Sequence, residues 1–328
     1  MGEFQTLLDL KNVMMPGDTG LADVAEVLAE ENEALKDIPW SRGNQLTGDI
    51  HFRRAAMPTA QVRAINQGIK ASTSKSQPHV DTCVEINTRS IVDMSELKLA
   101  PNAAKYLLMM SKPHLAVLGQ DVITQIFYGA DRAGILGFAA RYGALKGEKE
   151  RQVIDYGGAG DNLTSIYIIK WDTDEVTGIY PKNASAGLDM VTLSNQLVSD
   201  KDGNDFLAHV TDYKWMAGLK VRDHRYVARL CNIPLDVLGG TGDTAKEALQ
   251  AVFDKLIHAK NRIHQVTQGR VVMYVSPDMY SMLEVAAFNK TNMALGYRDV
   301  TSDTRILTFS GIPIRSNDCQ LKPETQVV

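Results

Sequence analysis

HVDTCVEINTRSIVD (residues 79–93) alternates cleanly. Val80, Thr82, Val84, Ile86, Thr88 and Val92 take one side, and Asp81, Glu85, Asn87, Arg89 and Asp93 take the other. A period of two marks a strand with one face covered and one face wet. The stretch is the returning half of an extended arm over residues 38–93. Its outgoing half reads GDIHFRRAAMP (residues 48–58) and its tip GIKASTSKS (residues 68–76). A lone two-stranded ribbon is marginal in water, and no adjacent segment is an obvious cover. The expectation is that a second copy of the chain supplies it.

The bulk numbers suit that reading. A chain of 328 residues, 44% apolar and 23% charged, can bury at least one full core, divided between two lobes. Its formal charge is −4, from 35 basic and 39 acidic residues, and no basic block stands out. Affinity for nucleic acid rests on clustered Lys and Arg, so wrapping it is not expected as the primary task. Cys83, Cys231 and Cys319 are odd in number, far apart and outside any CxxC, which argues against disulfides and zinc and fits a reducing place of synthesis. No stretch has the apolar length of a membrane span, and the first residues lack the pattern of a signal peptide.

Before the arm, a short helix is expected at residues 4–14. A second starts at Leu21, with Leu21, Val24, Leu28 and Leu35 on one stripe. After the arm, Pro101 opens a helical unit in which Leu115, Leu118, Val122 and Ile126 recur at helical spacing. Pro113 should kink or split it. The middle reads as strands. LTSIYIIKW (residues 163–171) is apolar on both faces and so buried on both. LDMVTLSNQLV and FLAHVTDYKWMAGL flank the turn DKDGND (residues 200–205), where Gly203-Asn204 is favourable hairpin chemistry. RDHRYVARLC (residues 222–231) reads as a further strand. In the last third, Thr244 and Glu247 form a capping box for a helix carrying Leu249, Val252, Phe253, Leu256 and Ile263. Strand RVVMYV, helix DMYSMLEVAAF and the hairpin RILTF–SG–IPIR follow, which suggests an α/β lobe with its own small sheet.

The motifs of catalysis are missing. The glycines around Gly239, Gly240 and Gly242 precede a helix, where a phosphate could dock. No Lys-Ser/Thr follows them, so a loop between lobes is the better reading. Around Asp200, Asp202, Asn204 and Asp205 the glycine stands at Gly203 rather than two places later, and Thr211 stands where a calcium loop requires Glu, so the stretch reads as a hairpin turn. The seven histidines never take a metal-ligand spacing, and no GxSxG is present. Arg222, Asp223, Arg225 and Arg229 suggest an ion-pair network within a sheet or between subunits. No catalytic residue, metal or cofactor is expected.

Taken in order, several blocks carry a resemblance: PWSRGNQLTG, RRAAMPTAQVRAINQGIKAS (residues 53–72), FYGADRAGILGFAARY, TSIYIIKW with GIYPKNASAGL, YKWMAGLKVRDHRYVARLCNI and FSGIPIRSND. The chain resembles the major capsid protein of tailed bacteriophages, in the short-tailed family typified by phage epsilon-fifteen, over nearly its whole length. The resemblance implies an α+β, Hong Kong 97-like fold. Residues 1–37 would be the N-terminal arm and residues 38–93 an extended loop lying across a neighbouring subunit. Residues 94–242 would form a peripheral domain, with a spine helix at about 101–128 and strands at 163–231. Residues 243–318 would be an axial domain, and 319–328 a tail. Because the strand-rich block precedes the axial lobe, a rearranged connectivity is expected.

The function so implied is structural. The chain would assemble with itself into pentamers and hexamers of an icosahedral shell around double-stranded DNA, made in the host cytoplasm and residing in the virion. Expected partners are a portal protein, a separate scaffolding protein and a decoration protein, with no membrane. Phe52, Met57, Val62 and Ile65 are the expected apolar contacts of the loop, and Arg53, Arg54 and Arg63 its ion-pairing residues. Some shells of this fold cross-link a loop lysine to an asparagine, but Lys70 and Lys75 are read here as ordinary solvated lysines. Two alternatives stay open: an encapsulin-like nanocompartment of the same fold, and a stand-alone α/β binding protein or enzyme using the Gly239–Gly242 loop.

Overall fold

The computed structural model describes residues 33–130, 134–147, 150–184, 187–199, 203–240, 242–266, 269–288, 295–299, 305–320 and 323–328. The expected first helix lies outside these residues. Of the second, the described part is its end, α1 (Glu33–Asp37), which inserts Ala34 and Leu35 into the core.

Two sheets share one helix. The first runs β1 (Trp40–Arg42), β6 (Val176–Tyr180), β8 (Asp205–Val221), β3 (Lys75–Asp93) and β2 (Gly48–Ala56), with β7 (Leu188–Ser199) also paired to β8. The second runs β11 (Leu295–Asp299), β12 (Arg305–Phe309), β13 (Ile312–Ser316), β10 (Arg270–Val275), β5 (Leu163–Trp171), β9 (Val227–Pro234) and β4 (Val153–Asp155). Between them lies a 26-residue helix, Ala103–Tyr128, preceded by the short helix α2 (Met94–Leu99); the long helix is α3. Its stripe of Leu115, Leu118, Val122 and Ile126 is fully buried, as its spacing requires. Phe127 meets the rings of Phe138, Tyr167 and Tyr274 edge-on, with centroids 5.4–5.5 Å apart.

The apolar run of β5 is explained by this layering. Tyr167, Ile169 and Trp171 point into the core under α3. Ile166 and Ile168 point into a second core beneath α6 (Asp243–Arg262) and α7 (Pro277–Phe288). Every residue of β5 is buried. The α4 turn (Phe138–Arg141) and the α5 turn (Leu235–Leu238) close the two cores at their edges. The tight turn between β12 and β13 places Ser310 at φ 50° and Gly311 at φ 84°, the left-handed pair that a two-residue hairpin demands.

Four expectations are corrected. Pro113 does not split α3, which is continuous through it. The proline is exposed, so the carbonyl it leaves without a partner in the helix can face water. The capping box is not formed: α6 starts at Asp243 behind Gly242 (φ 114°), so Thr244 is already inside the helix. The last third has no sheet of its own, because β10 pairs antiparallel with β5 from Arg270↔Trp171 to Tyr274↔Tyr167. Finally, much of the returning arm is covered by its own chain. Residues from Cys83 to Asp93 pair with β8 (Cys83↔Gly218 to Asp93↔Ala208), and their inner face lies against α3, where His114 meets Thr88 at 2.9 Å.

The C-terminal segment is a working part of the core. Glu324 is buried and accepts from the Arg229 guanidinium (3.0 Å), the Tyr128 hydroxyl (2.5 Å) and the Ser165 hydroxyl. It thereby ties the end of α3 to β5 and β9. Removing one partner of a buried pair leaves an uncompensated charge. Glu324→Ala is therefore expected to destabilise the chain by about 3 kcal/mol, read as a lower urea midpoint of the purified protein. An unchanged midpoint would contradict this account.

Candidate assembly surface

Strands β2 and β3 form a hairpin with register Gly48↔Thr82 to Arg54↔Ser76 and an irregularity at its far end, where Ala56 faces Lys75. Where β3 leaves β8, at Cys83, the ribbon leaves the body. From Met57 to Val80 every residue is exposed, without interruption. A 24-residue run with no buried side chain cannot hold itself in place through apolar burial.

The residues expected to make contacts all fall on this hairpin. Phe52 is 64% exposed and lies across from Pro78; Met57 is 64%, Val62 103% and Ile65 91% exposed. Arg63 is exposed in the tip. Arg53 turns back, donating to the Val221 carbonyl of its own chain. The side chain of Arg54 lies outside the described residues. Ile69 (63% exposed) was missed, although it sits in the same run. Val80, expected on the covered face, is 58% exposed, whereas Asp81 on the expected wet face is 3% exposed.

That inversion marks the root of the hairpin, where a polar cluster replaces apolar contact. Asp81 accepts from the Arg141 guanidinium (2.6 Å) and from the Val221 amide (3.1 Å). Asp49 pairs with Lys220 at 3.0 Å. Arg141 also donates to the carbonyls of Leu136 and Leu219. The two carboxylates are met by Arg141 and Lys220, with the Arg53 guanidinium also near enough to act on His51. His51 is buried between the carboxylates, 3.7 Å from Asp81 and 3.9 Å from Asp49, and neither ring nitrogen has a hydrogen-bond partner among the described residues. Its edge meets His79, ring to ring at 5.9 Å. Burial pulls the His51 pKa down to about 4, helped by Arg53, Lys220 and His79 and opposed by Asp81.

The other polar groups singled out from sequence are engaged within the chain. Arg222 pairs with Glu175, Arg225 with Asp223, and Arg229 with Glu324. The first two pairs act on each other through Glu175, and Arg229 with Glu324 is a separate buried pair. Burial pushes the Cys83 thiol up to about 12 and that of Cys231 to about 11, so both stay protonated near neutrality. Among the described residues no group of His, Cys, Asp and Glu is placed to hold a metal, and no helix is long and apolar enough to cross a membrane.

The state of His51 predicts a pH response with a definite sign. Its pKa in the folded chain lies below the ordinary 6.5, so its contribution is present above 6.5 and is lost as pH falls from there toward 4. Amide protection in β2 and around Asp81, corrected for intrinsic exchange, should drop across that window. His51→Gln should flatten the response. An identical pH profile in the variant would rule out His51 as its source.

The fold is that of the Hong Kong 97-like shell proteins. The chain is similar to a structure from bacteriophage Epsilon15, with 23% identity, 89% of this chain and 88% of that one covered, and a TM-score of 0.65. It is also similar to the capsid of bacteriophage JBD30, with 9% identity, 97% and 99% covered, and a TM-score of 0.54. A looser likeness links it to the SrpI encapsulin of Synechococcus elongatus PCC 7942, at 10% identity, 62% and 87% covered, and a TM-score of 0.43. No curated protein matches the chain. The family model of Major capsid protein GP7 matches residues 17–328, and with an exposed hairpin of this kind on a shell-protein fold, the chain belongs to that family of major capsid proteins.

Proposed function

We propose that this capsid protein tiles into pentamers and hexamers of an icosahedral phage shell that encloses double-stranded DNA. The observation that carries the reading is the unbroken exposure of residues 57–80. A cationic, partly apolar ribbon of this length, fixed at its root and exposed along its outer part, is built to lie on a neighbour. Phe52, Met57, Val62 and Ile65 supply the apolar contacts, and Arg54 and Arg63 meet carboxylates of the neighbour. Arg53 steadies the root through Val221. A portal protein, a separate scaffolding protein and a decoration protein are the partners such a shell calls for. The domain limits proposed are those of the sequence: arm 1–37, loop 38–93, peripheral 94–242, axial 243–318 and tail 319–328. The helix at Glu33–Asp37 and the β5–β10 pairing stitch these units together.

Obligate interfaces commonly bury on the order of 2,000–5,000 Å² in total, and repeated contacts of modest strength allow a shell to correct errors before it closes. The test exploits the exposure of the tip. Val62→Asp with Ile65→Asp should leave the stability of the subunit within about 0.5 kcal/mol, as for other surface substitutions. The same variant should abolish particles under the electron microscope. Normal shells from it would refute these assignments. Particles that co-purify with a protein cargo in place of DNA would favour a nanocompartment.

A further inference from the structure

The two long strands at the edges of the first sheet are built differently. Strand β2 carries Asp49, Arg53 and Arg54 along its nine residues, and charge is the usual guard of an exposed edge. Strand β7, LDMVTLSNQLVS, has one charged residue in twelve, Asp189, and no proline. Among the described residues it pairs only with β8, from Leu188↔Trp215 to Leu193↔Val210 and again beyond an irregularity around Asn195 (φ 58°). Its other edge therefore presents a row of unpaired backbone groups.

Both faces of this strand are open as well. Every residue from Asp189 to Leu197 is exposed, with Met190, Val191 and Leu193 at 40–42%. Helix α3 covers the sheet at Tyr213 and Trp215. Met190 pairs with Tyr213 and so lies on the α3 side, yet it stays outside that cover. A long edge that is apolar and almost uncharged is a template for another strand. The irregularity around Asn195 interrupts the ladder, so the regular template is Leu188–Leu193.

The template fits its own copy. A shell of identical chains brings like surfaces together across two-fold axes, and such a contact is self-complementary. A two-fold axis perpendicular to the sheet sets β7 antiparallel to its copy and keeps the α3 sides of both sheets on one side. Same-side residues must then face each other, so within this template the axis falls on Met190 or on Val191 and not between them. Centring on Val191 holds the two Asp189 carboxylates four residues apart along the strands, about 14 Å, twice the spacing of the other register. We infer that β7 pairs antiparallel with β7 of a second copy of this chain across a two-fold axis at Val191, so that the two sheets run on as one. The inference rests on shell assembly and adds a contact that the exposed hairpin does not make.

A residue on the axis meets itself, which gives the test its form. Val191→Lys and Val191→Glu, each assembled alone, should cut the yield of closed particles by about tenfold or more, because like charges directly opposite one another oppose strand pairing. Assembled together in equal amounts, the two should recover to within about twofold of the unsubstituted chain, since Lys then faces Glu. As an independent reading, particles of a Val191→Cys chain should give a dimer band with a short thiol cross-linker. The unsubstituted chain, with its three native cysteines, should not. Recovery in the mixture together with the band supports the pairing. Full yields from both single variants without a band overturn it and leave shell assembly standing, as does a mixture no better than its parts. A Val191→Cys chain that links to a Val62→Cys chain and not to itself would also overturn it, giving this edge to the arm. Failure of the unsubstituted chain to form particles overturns both readings.

Discussion

Strand β3 is 19 residues long and its two halves live in different surroundings. From Cys83 onward it is held on one side by β8 and from beneath by α3; before Thr82 its ladder partner among the described residues is β2. The rest of the molecule depends on this single continuous strand. The inner half fixes the direction in which the outer half leaves the body, because a strand of regular pleat carries its orientation forward. A neighbour can then be reached with little search through conformations, which lowers the ordering cost of each contact.

The junction between the halves is polar. An apolar plug would bind the ribbon to its own body through non-directional contact. Asp81 instead gives its two oxygens to Arg141 and the Val221 amide, and Asp49 meets Lys220. Buried pairs of this kind add little net stability but make alternative geometries costly, since any shift strands a charge. His51 adds a condition, since its burial there favours the neutral ring. The same logic recurs at Glu324, which draws the last residues of the chain across β5 and β9 and sets the end of α3.

Much of the framework could be read from sequence where the cause is local. Leu163–Trp171 is apolar on both faces because two cores lie on its two sides, and Arg270–Val275 and the Ser310-Gly311 turn are set by residues within them. The arm and its exposed Phe52, Met57, Val62 and Ile65 were legible for the same reason. What escaped was non-local. The ladder partner of Cys83–Asp93 lies far downstream in β8, and the face is covered by α3, so alternation showed a covered face without showing by what. Val80 and Asp81 exchanged places because the latter answers to Arg141 and Val221, which no periodicity encodes. Thr244 carries a capping pattern, but the turn at Gly242 begins the helix earlier.

Electron cryomicroscopy of assembled particles measures the central point directly. Residues 57–80 should be resolved as a ribbon on an adjacent subunit, with Val62 and Ile65 shielded from water, while β3 stays paired with β8 from Cys83 onward. A reconstruction in which the ribbon folds back over its own subunit, or projects into solvent without a neighbour beneath it, would contradict the account.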